Sequence, residues 1–198
     1  MNIANKITIS RIYLSVIIMI LLIFPFYEFK INFPTFLVNG NILVDTRYII
    51  AGVLFIIAST TDFLDGYLAR KYKIVSDYGK MLDAISDKIL TNSLLIILAV
   101  NGMISLIIPV VIVVRDIVVD ALKMFIGNRS SAVAAIPIAK VKTATLMVGL
   151  ALTLFYNLPF ELIGVNISDF LLIIAAILSV ISGIKYYNMA KQFMKESA

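Results

Sequence analysis

The chain of 198 residues contains no cysteine and no histidine. Disulfides, thiolate catalysis and cysteine-ligated metals are therefore excluded, and so are imidazole acid–base catalysis and histidine-ligated metals. Any general base or metal ligand has to be Asp or Glu. Because carboxylate oxygens favour hard divalent cations, a bound metal is expected to be Mg²⁺ or Mn²⁺.

Charged residues are scarce as well. Only 15% of the residues are charged and 61% are hydrophobic, with a mean hydropathy of +1.02. Soluble domains usually contain about 25% charged and roughly 45–50% apolar residues. The composition therefore excludes a soluble globular domain and predicts an integral membrane protein. The net charge of +5 indicates anionic lipid or phosphate as a partner, and not nucleic acid.

The apolar runs predict an all-α fold of six transmembrane helices in a single domain, residues 1–198. They cover residues 12–27, 48–61, 89–114, 143–160 and 165–184, and an Asn101-Gly102 turn divides the third run into two spans. Several runs are shorter than the roughly 20 residues that a bilayer requires, so the spans should continue into charged residues at one end. Residues 2–9 are expected to form a short interfacial helix, and residues 28–45 an outer loop with turns at Phe33-Pro34 and Asn39-Gly40.

Lysine and arginine are segregated by this arrangement. With six spans, all of the 17 basic residues except Lys30 and Arg47 fall on the side that holds both termini. The positive-inside rule makes that side cytoplasmic. The sequence therefore predicts a multi-pass protein of the cell membrane with both termini in the cytoplasm.

Four aspartates lie near the predicted cytoplasmic ends of the second and third spans. Asp62 and Asp65 are three residues apart and Asp83 and Asp87 are four apart, so each pair shares one face of a helix. Ionised carboxylates at the edge of a bilayer repel each other and are costly to desolvate. Their number predicts a divalent cation between them. A cation or proton transporter that uses the same carboxylates is the alternative interpretation.

Small and basic residues complete a longer pattern. It reads Asp62-x-x-Asp65-Gly66-x-x-Ala69-Arg70, then eight residues, then Gly79-x-x-x-Asp83-x-x-x-Asp87. At every fixed position this resembles the signature of the CDP-alcohol phosphatidyltransferases. The resemblance implies a membrane enzyme that uses CDP-diacylglycerol and one or two Mg²⁺ or Mn²⁺ ions, has its active site at the cytoplasmic face and forms a homodimer.

The resemblance also implies roles for the residues of the pattern. Asp62, Asp65, Asp83 and Asp87 would hold the metal, and Asp87 would in addition take the proton of the acceptor alcohol. The remaining positions would contact the CDP-lipid: Gly66, Ala69 and Gly79 by giving the nucleotide close access, and Arg70 by contacting its phosphates. Either direct attack or a two-step reaction through a phosphatidyl-enzyme is compatible with this assignment.

Basic residues at the cytoplasmic ends of the fourth and fifth spans are candidates for binding the phosphate of an acceptor. They are Arg115, Lys123, Lys140 and Lys142. A lone arginine in an apolar run is costly, and a phosphate ligand would offset that cost. The alternative is ion pairing of Arg115 with Asp116 or Asp120 and of Lys123 with Asp120, with Lys140 and Lys142 serving only the positive-inside bias.

Other segments resemble those family members whose acceptor is sn-glycerol 3-phosphate. They are residues 2–11, Arg115-Asp116 with Lys123, residues 140–143 and residues 182–187, with Ala4 where proline is usual. By this resemblance Asn5, Thr8 and Arg11 would face the headgroup site, whereas helix capping and membrane anchoring are their alternative roles. Inositol phosphate, phosphatidylglycerol and serine remain alternative acceptors.

Overall fold

The protein is described by a computed structural model that covers residues 3–40, 42–71, 77–127 and 136–196, without the side chains of residues 3–6, 62–71, 77–78, 80, 125–127, 193 and 195–196. About 80% of the described residues are helical. The six α-helices of the described ranges are α1 (Ile3–Ile23), α2 (Thr46–Lys71), α3 (Asp77–Val100), α4 (Ile107–Gly127), α5 (Pro137–Leu154) and α6 (Ile167–Glu196).

The first helix differs from the sequence prediction. A separate interfacial helix at residues 2–9 was expected, but α1 continues without a break through this segment into the apolar run. The reason lies in the local sequence, since residues 3–23 contain neither glycine nor proline to interrupt a helix. Residues near the N-terminus are therefore on the same helix as the apolar residues that follow them.

The second and third helices continue past their apolar runs into charged sequence, as the bilayer argument predicted. α2 has 26 residues and ends after the Asp62–Arg70 segment, and α3 has 24 residues and begins before Gly79. The two halves of the aspartate pattern consequently lie on consecutive helices. The Asn101-Gly102 turn separates α3 from α4, and Gly102 has a φ of 71°, which glycine adopts without strain.

Two helices are long and apolar enough by themselves to cross a membrane. They are Pro137–Leu154 and Ile167–Gln192, and the shorter stretches Ile7–Ile23 and Thr46–Thr61 are also apolar. The chain is therefore a mostly helical protein with at least two possible membrane spans among its described residues.

A β-hairpin lies between α1 and α2, so the predicted all-α fold is incomplete. Strand β1 (Thr35–Val38) pairs with β2 (Ile42–Asp45) in an antiparallel register that sets Phe36 opposite Val44. The predicted turn at Asn39-Gly40 connects them, and both turn residues have positive φ angles of 52° and 74°. Asn and Gly tolerate this conformation better than other residues. Apolar strands beside an Asn-Gly turn are a hairpin signal that the sequence reading left unused.

The core is formed by apolar faces of all six helices. Ala51, Phe55 and Ala58 of α2 follow helical spacing and are almost fully buried. α1 packs against α2 and α3, and α6 packs against α5 and α4. The contact of α5 with α6 is close, because a Cβ atom on Gly149 would lie 2.9 Å from Leu172 Cδ2. This close packing sets the relative position of the two helices.

Tyr156 joins the hairpin to the loop that follows α5. Its hydroxyl accepts a hydrogen bond of 3.0 Å from the Asp45 backbone N–H, and its ring packs edge-on against Tyr48. Burial raises the pKa of the Tyr156 hydroxyl. These residues lie at the end of the bundle opposite Asp83, Asp87 and their neighbours.

Candidate active site

Asp83 and Asp87 lie on one face of α3, and Arg11 of α1 contacts both. Arg11 Nη2 donates to Asp83 Oδ1 at 2.6 Å, and Arg11 Nη1 is 3.3 Å from Asp87 Oδ1. Arg11 Nε donates to Ser86 Oγ at 2.5 Å. The arginine is fully buried, whereas the side chains of Asp83 and Asp87 are 49% and 36% exposed. The carboxylates therefore border solvent on one side and a buried cation on the other.

The rest of the aspartate pattern is described only at the level of the backbone. Asp62, Asp65, Gly66, Ala69 and Arg70 belong to the last turns of α2, and their side chains lie outside the described part of the chain. Gly79 is on α3 one turn before Asp83. Among the described side chains no three carboxylates come together as a metal site, so the four-aspartate metal site stays a prediction.

Of the predicted headgroup residues Asn5 and Thr8, the structure describes the side chain of Thr8 only. The side chain of Asn5 lies outside the described residues. Thr8 is 4% exposed and precedes Arg11 by about one turn of α1. The structure thus places Thr8 and Arg11 inside the bundle, with Arg11 against the two aspartates of α3.

A second polar cluster joins α4, α5 and α6. Asp116 accepts hydrogen bonds from Arg115 Nη1 at 2.8 Å and from Lys142 Nζ at 3.1 Å. All three side chains are at most 13% exposed. The pairing of Arg115 with Asp116 that the sequence offered as an alternative is therefore present, and Lys142 shares the same carboxylate. Asp116 therefore holds the cations of Arg115 on α4 and Lys142 on α5 next to each other.

Helix α6 positions Arg115 from the other side. Arg115 Nε donates to the backbone oxygen of Ser179 at 2.9 Å, and Nη2 donates to Ser182 Oγ at 2.6 Å. Gly183 leaves room for the arginine, since a Cβ atom there would lie 3.2 Å from Arg115 Cγ. The ring of Tyr186, which is fully buried, lies 5.9 Å from Arg115 Cζ. The planar guanidinium is thus held in one orientation.

Two more lysines lie near this cluster. Lys123 Nζ lies 4.9 Å from the ring centroid of Tyr186, a cation–π distance. Lys88, which follows Asp87 on α3, forms an ion pair with Asp120 of α4. Lys88 therefore links the helix of the two aspartates to the basic cluster.

One cavity of about 230 Å³ connects both polar groups. Its charged lining consists of Asp87 and Lys88 from α3, Arg115, Asp116, Asp120 and Lys123 from α4, and Lys142 from α5, with Tyr186 from α6 beside them. Of the predicted acceptor residues, Arg115, Lys123 and Lys142 line the cavity together with the predicted base Asp87. Lys140 is exposed and lies outside this lining.

Sequence reasoning missed several residues of this site. Lys88, Ser182 and Gly183 were given no role, although Lys88 directly follows the aspartate pattern and Ser182-Gly183 belongs to a segment noted for its resemblance. Tyr186 belongs to the same segment, and its spacing from Ser182 places both on one face of α6. Helical periodicity therefore indicated that these residues of α6 share a face, but it could not show that this face packs against α4.

A family model described as CDP-alcohol phosphatidyltransferase matches residues 1–182. The chain belongs to this family. The family predicted from the aspartate pattern is thus confirmed, and the transporter interpretation loses its support. The phosphatidyltransferase family consists of membrane proteins and is generally dependent on divalent metals.

Individual relatives agree with the family assignment. The chain is 35% identical over 196 residues to the CDP-diacylglycerol--glycerol-3-phosphate 3-phosphatidyltransferase of Bacillus subtilis, covering 99% of this chain and 98% of that protein. It is 32% identical to the protein of the same description from Rickettsia bellii, with 97% of each chain covered. A Mycoplasma genitalium protein of that description is 35% identical over 78% of this chain and 65% of its own length.

Proposed function

We propose that the chain transfers the phosphatidyl group of CDP-diacylglycerol to sn-glycerol 3-phosphate and releases phosphatidylglycerophosphate and CMP. The observation that carries the proposal is the cavity in which Asp87 and the basic residues Arg115, Lys123 and Lys142 meet. The names of the full-length relatives support the same reaction.

The charges of the cavity suit a small phosphorylated acceptor. Four cations line it against the three carboxylates Asp87, Asp116 and Asp120, which leaves one positive charge in excess. A phosphate monoester carries a charge of about −1.5 to −2 at pH 7, so this excess would attract it. Arg115 supplies a fixed planar donor set and the lysines supply point charges. The phosphate of the acceptor would therefore lie among α4, α5 and α6.

Asp87 lies at the α3 side of the same cavity, where the hydroxyl of the bound acceptor would be. It accepts the proton of that hydroxyl, and the oxygen attacks the phosphorus that carries the diacylglycerol. A new P–O bond forms while the bond from that phosphorus to the oxygen of the nucleotide phosphate breaks, and CMP leaves with the bonding electron pair. Because the phosphate anchor and the base lie in one cavity, orientation contributes much of the rate.

The donor side of the site would be formed by the aspartate pattern. Its candidate ligands are all carboxylate oxygens, and the side chains of Asp83 and Asp87 are partly exposed on one face of α3, so the residues fit a hard divalent ion. Asp62, Asp65, Asp83 and Asp87 would hold one or two Mg²⁺ or Mn²⁺ ions, which when bound would neutralise the pyrophosphate. Gly66, Ala69 and Gly79 would admit the nucleotide, and Arg70 would contact its phosphates.

An apolar groove supports the entry of a lipid from the side. It has a volume of about 400 Å³ and lies between α2 and α5, with Phe55, Ile56, Met147, Val148 and Ala151 in its walls. Met147 lines both this groove and the polar cavity. We propose that an acyl chain of the donor occupies the groove while its phosphates lie near Asp62, which follows the groove residue Thr60 on α2.

The membrane arrangement follows from the same placement. We propose six spans formed by α1–α6, with both termini and the active site at the cytoplasmic face of the cell membrane. The positive-inside bias and the location of the basic cluster at one end of the bundle support it. A homodimer is proposed from the family resemblance.

The cavity also discriminates between acceptors. About 230 Å³ is below the roughly 300–1,000 Å³ of sites for drug-sized ligands, so a lipid acceptor such as phosphatidylglycerol would fit only with its headgroup. The excess positive charge disfavours serine. Inositol phosphate offers the same phosphate, and the names of the full-length relatives favour sn-glycerol 3-phosphate over it.

An acceptor panel tests the proposal. The purified chain in detergent is incubated with CDP-diacylglycerol and Mg²⁺ and with equal concentrations of sn-glycerol 3-phosphate, glycerol, inositol phosphate, phosphatidylglycerol or serine, and the lipid products are identified by mass. We expect phosphatidylglycerophosphate with sn-glycerol 3-phosphate and little product with the others. Faster turnover of glycerol or serine would show that the basic cluster does not bind the acceptor phosphate.

A further inference from the structure

The most unusual polar residue in the structure is Arg11, because it is fully buried and contacts both aspartates of α3. Its three guanidinium nitrogens have different partners: Nη2 contacts Asp83, Nη1 lies near Asp87 and Nε contacts Ser86. Nη2 also lies 3.4 Å from the backbone oxygen of Asp83. The planar fork of arginine is needed for this set, since an ammonium group presents a single point of attachment.

Contacts with α3 fix the guanidinium of Arg11. On its own helix, Ser15 Oγ donates to the backbone oxygen of Arg11 at 2.8 Å and does not hold the side chain. Ser86 is fully buried between the two aspartates on α3. A buried guanidinium held on several sides cannot swing out to solvent, so its charge stays within reach of Asp83 and Asp87.

The proposed function assigns the same two carboxylates to a divalent ion. Arg11 and such an ion would carry charges of the same sign at the same ligands, so they would repel each other in proportion to their proximity. When no ion is bound, the positive charge of Arg11 compensates the negative charges of Asp83 and Asp87. Without it, two neighbouring carboxylates would face each other at the edge of the bilayer.

We propose that Arg11 is a positioning residue that holds Asp83 and Asp87 in the metal-free protein and competes with the divalent ion for them. Arg11 thereby weakens metal affinity and stabilises the bundle without metal. The inference rests on the proposed function for the metal site. It also changes the assignment of Arg11, which the sequence placed at the acceptor headgroup and whose contacts here are with the carboxylates.

The test measures Mn²⁺ binding, which does not depend on turnover. The full-length chain in detergent is titrated with Mn²⁺ and free Mn²⁺ is followed by electron paramagnetic resonance, while the melting temperature is recorded with and without the ion. The variants are Arg11→Gln, which removes the charge, and Arg11→Lys, which keeps it. Arg47→Gln is the matched control, because Arg47 forms an ion pair of 2.6 Å with Asp45 at the opposite end of the bundle.

We expect Arg11→Gln to bind Mn²⁺ on the order of tenfold more tightly than the unaltered chain. Without metal its melting temperature should fall by several degrees, and Mn²⁺ should restore most of the loss. Arg11→Lys should keep the Mn²⁺ affinity but lose the stability, because it has the charge without the fork. Arg47→Gln should leave Mn²⁺ affinity unchanged.

Unchanged or weaker Mn²⁺ binding by Arg11→Gln would overturn the inference. If that variant does not fold, Ser86→Ala answers the same question, because it removes the partner of Arg11 Nε. We expect it to tighten Mn²⁺ binding by a smaller factor than Arg11→Gln does. Unchanged or weaker Mn²⁺ binding by Ser86→Ala would again refute the competition. Absence of Mn²⁺ binding by the unaltered chain would instead refute the metal site of the proposed function, and so it is a separate outcome.

Discussion

At the scale of single residues, Arg115 shows how the site depends on groups that have no direct role in the reaction. Its guanidinium is held by Asp116 of the same helix and by Ser179 and Ser182 of α6. Arg115 itself was predictable, because a cation in an apolar run needs an anion nearby. Ser182 and Gly183 were not, because only the packing of α6 against α4 shows which residue they support.

Ser182→Ala tests this support. The substitution removes the 2.6 Å hydrogen bond to Arg115, and a lost hydrogen bond to a charged group costs about 1.5–3 kcal/mol. We expect the KM for sn-glycerol 3-phosphate to rise by roughly tenfold, with a smaller change in the KM for CDP-diacylglycerol. Steady-state kinetics with each substrate varied in turn measure both values.

Ser168→Ala is the control for this prediction. Ser168 is a buried serine of the same helix, but its hydroxyl contacts Asn166 at the opposite end. Equal changes of KM in the two variants would mean that Ser182 acts only through the stability of α6.

At the scale of helices and strands, charged sequence at the ends of short apolar runs was the most informative feature. It correctly predicted that α2 and α3 extend through the aspartate pattern. The continuous α1 and the hairpin were not predicted, although the sequence carried a signal for each. No glycine or proline interrupts residues 3–23, and apolar residues flank the Asn39-Gly40 turn that joins the two paired strands.

The contact of α5 with α6 matters because Lys142 lies on one helix and Ser182 and Tyr186 on the other. Gly149→Ala would place a methyl group 2.9 Å from Leu172 Cδ2 and 3.0 Å from Leu172 Cγ. Overpacking of a buried contact costs typically about 1–3 kcal/mol. We expect a lower melting temperature in detergent and a raised KM for sn-glycerol 3-phosphate.

Ile173→Val, at the 50% exposed position next to Leu172 on α6, is the control and should change neither quantity by much. A variant Gly149→Ala that melts at the unaltered temperature would show that α5 and α6 are not closely packed at this glycine.

At the scale of the whole molecule, the contacts separate two ends of a helical bundle. Arg11, Asp83, Asp87 and the basic cluster lie at one end, and the hairpin with Tyr156 lies at the other. The sequence predicted this separation from six apolar spans together with the distribution of lysine and arginine, because neither depends on how the helices pack. The packing itself could not be predicted, since lipid-facing and buried apolar residues look alike in sequence.

The absence of cysteine allows a direct test of the membrane arrangement. Single cysteines replace the exposed Lys30, between α1 and β1, and the exposed Lys191 near the end of α6. A maleimide that cannot cross membranes should label Lys30→Cys in intact cells and Lys191→Cys only after permeabilisation. Labelling of both positions in intact cells would refute the proposed orientation and an even number of spans.

The central claim is that Asp87 takes the proton of an acceptor bound in the cavity it shares with Arg115, Lys123 and Lys142. The most direct measurement is CMP release by the purified chain and by Asp87→Asn, with CDP-diacylglycerol, sn-glycerol 3-phosphate and Mg²⁺, with and without chelator. We predict equal amounts of CMP and phosphatidylglycerophosphate from the unaltered chain, loss of both with chelator, and turnover lower by about 10²–10⁴-fold in the variant, which still binds CDP-diacylglycerol. Near-normal turnover by Asp87→Asn would contradict the account.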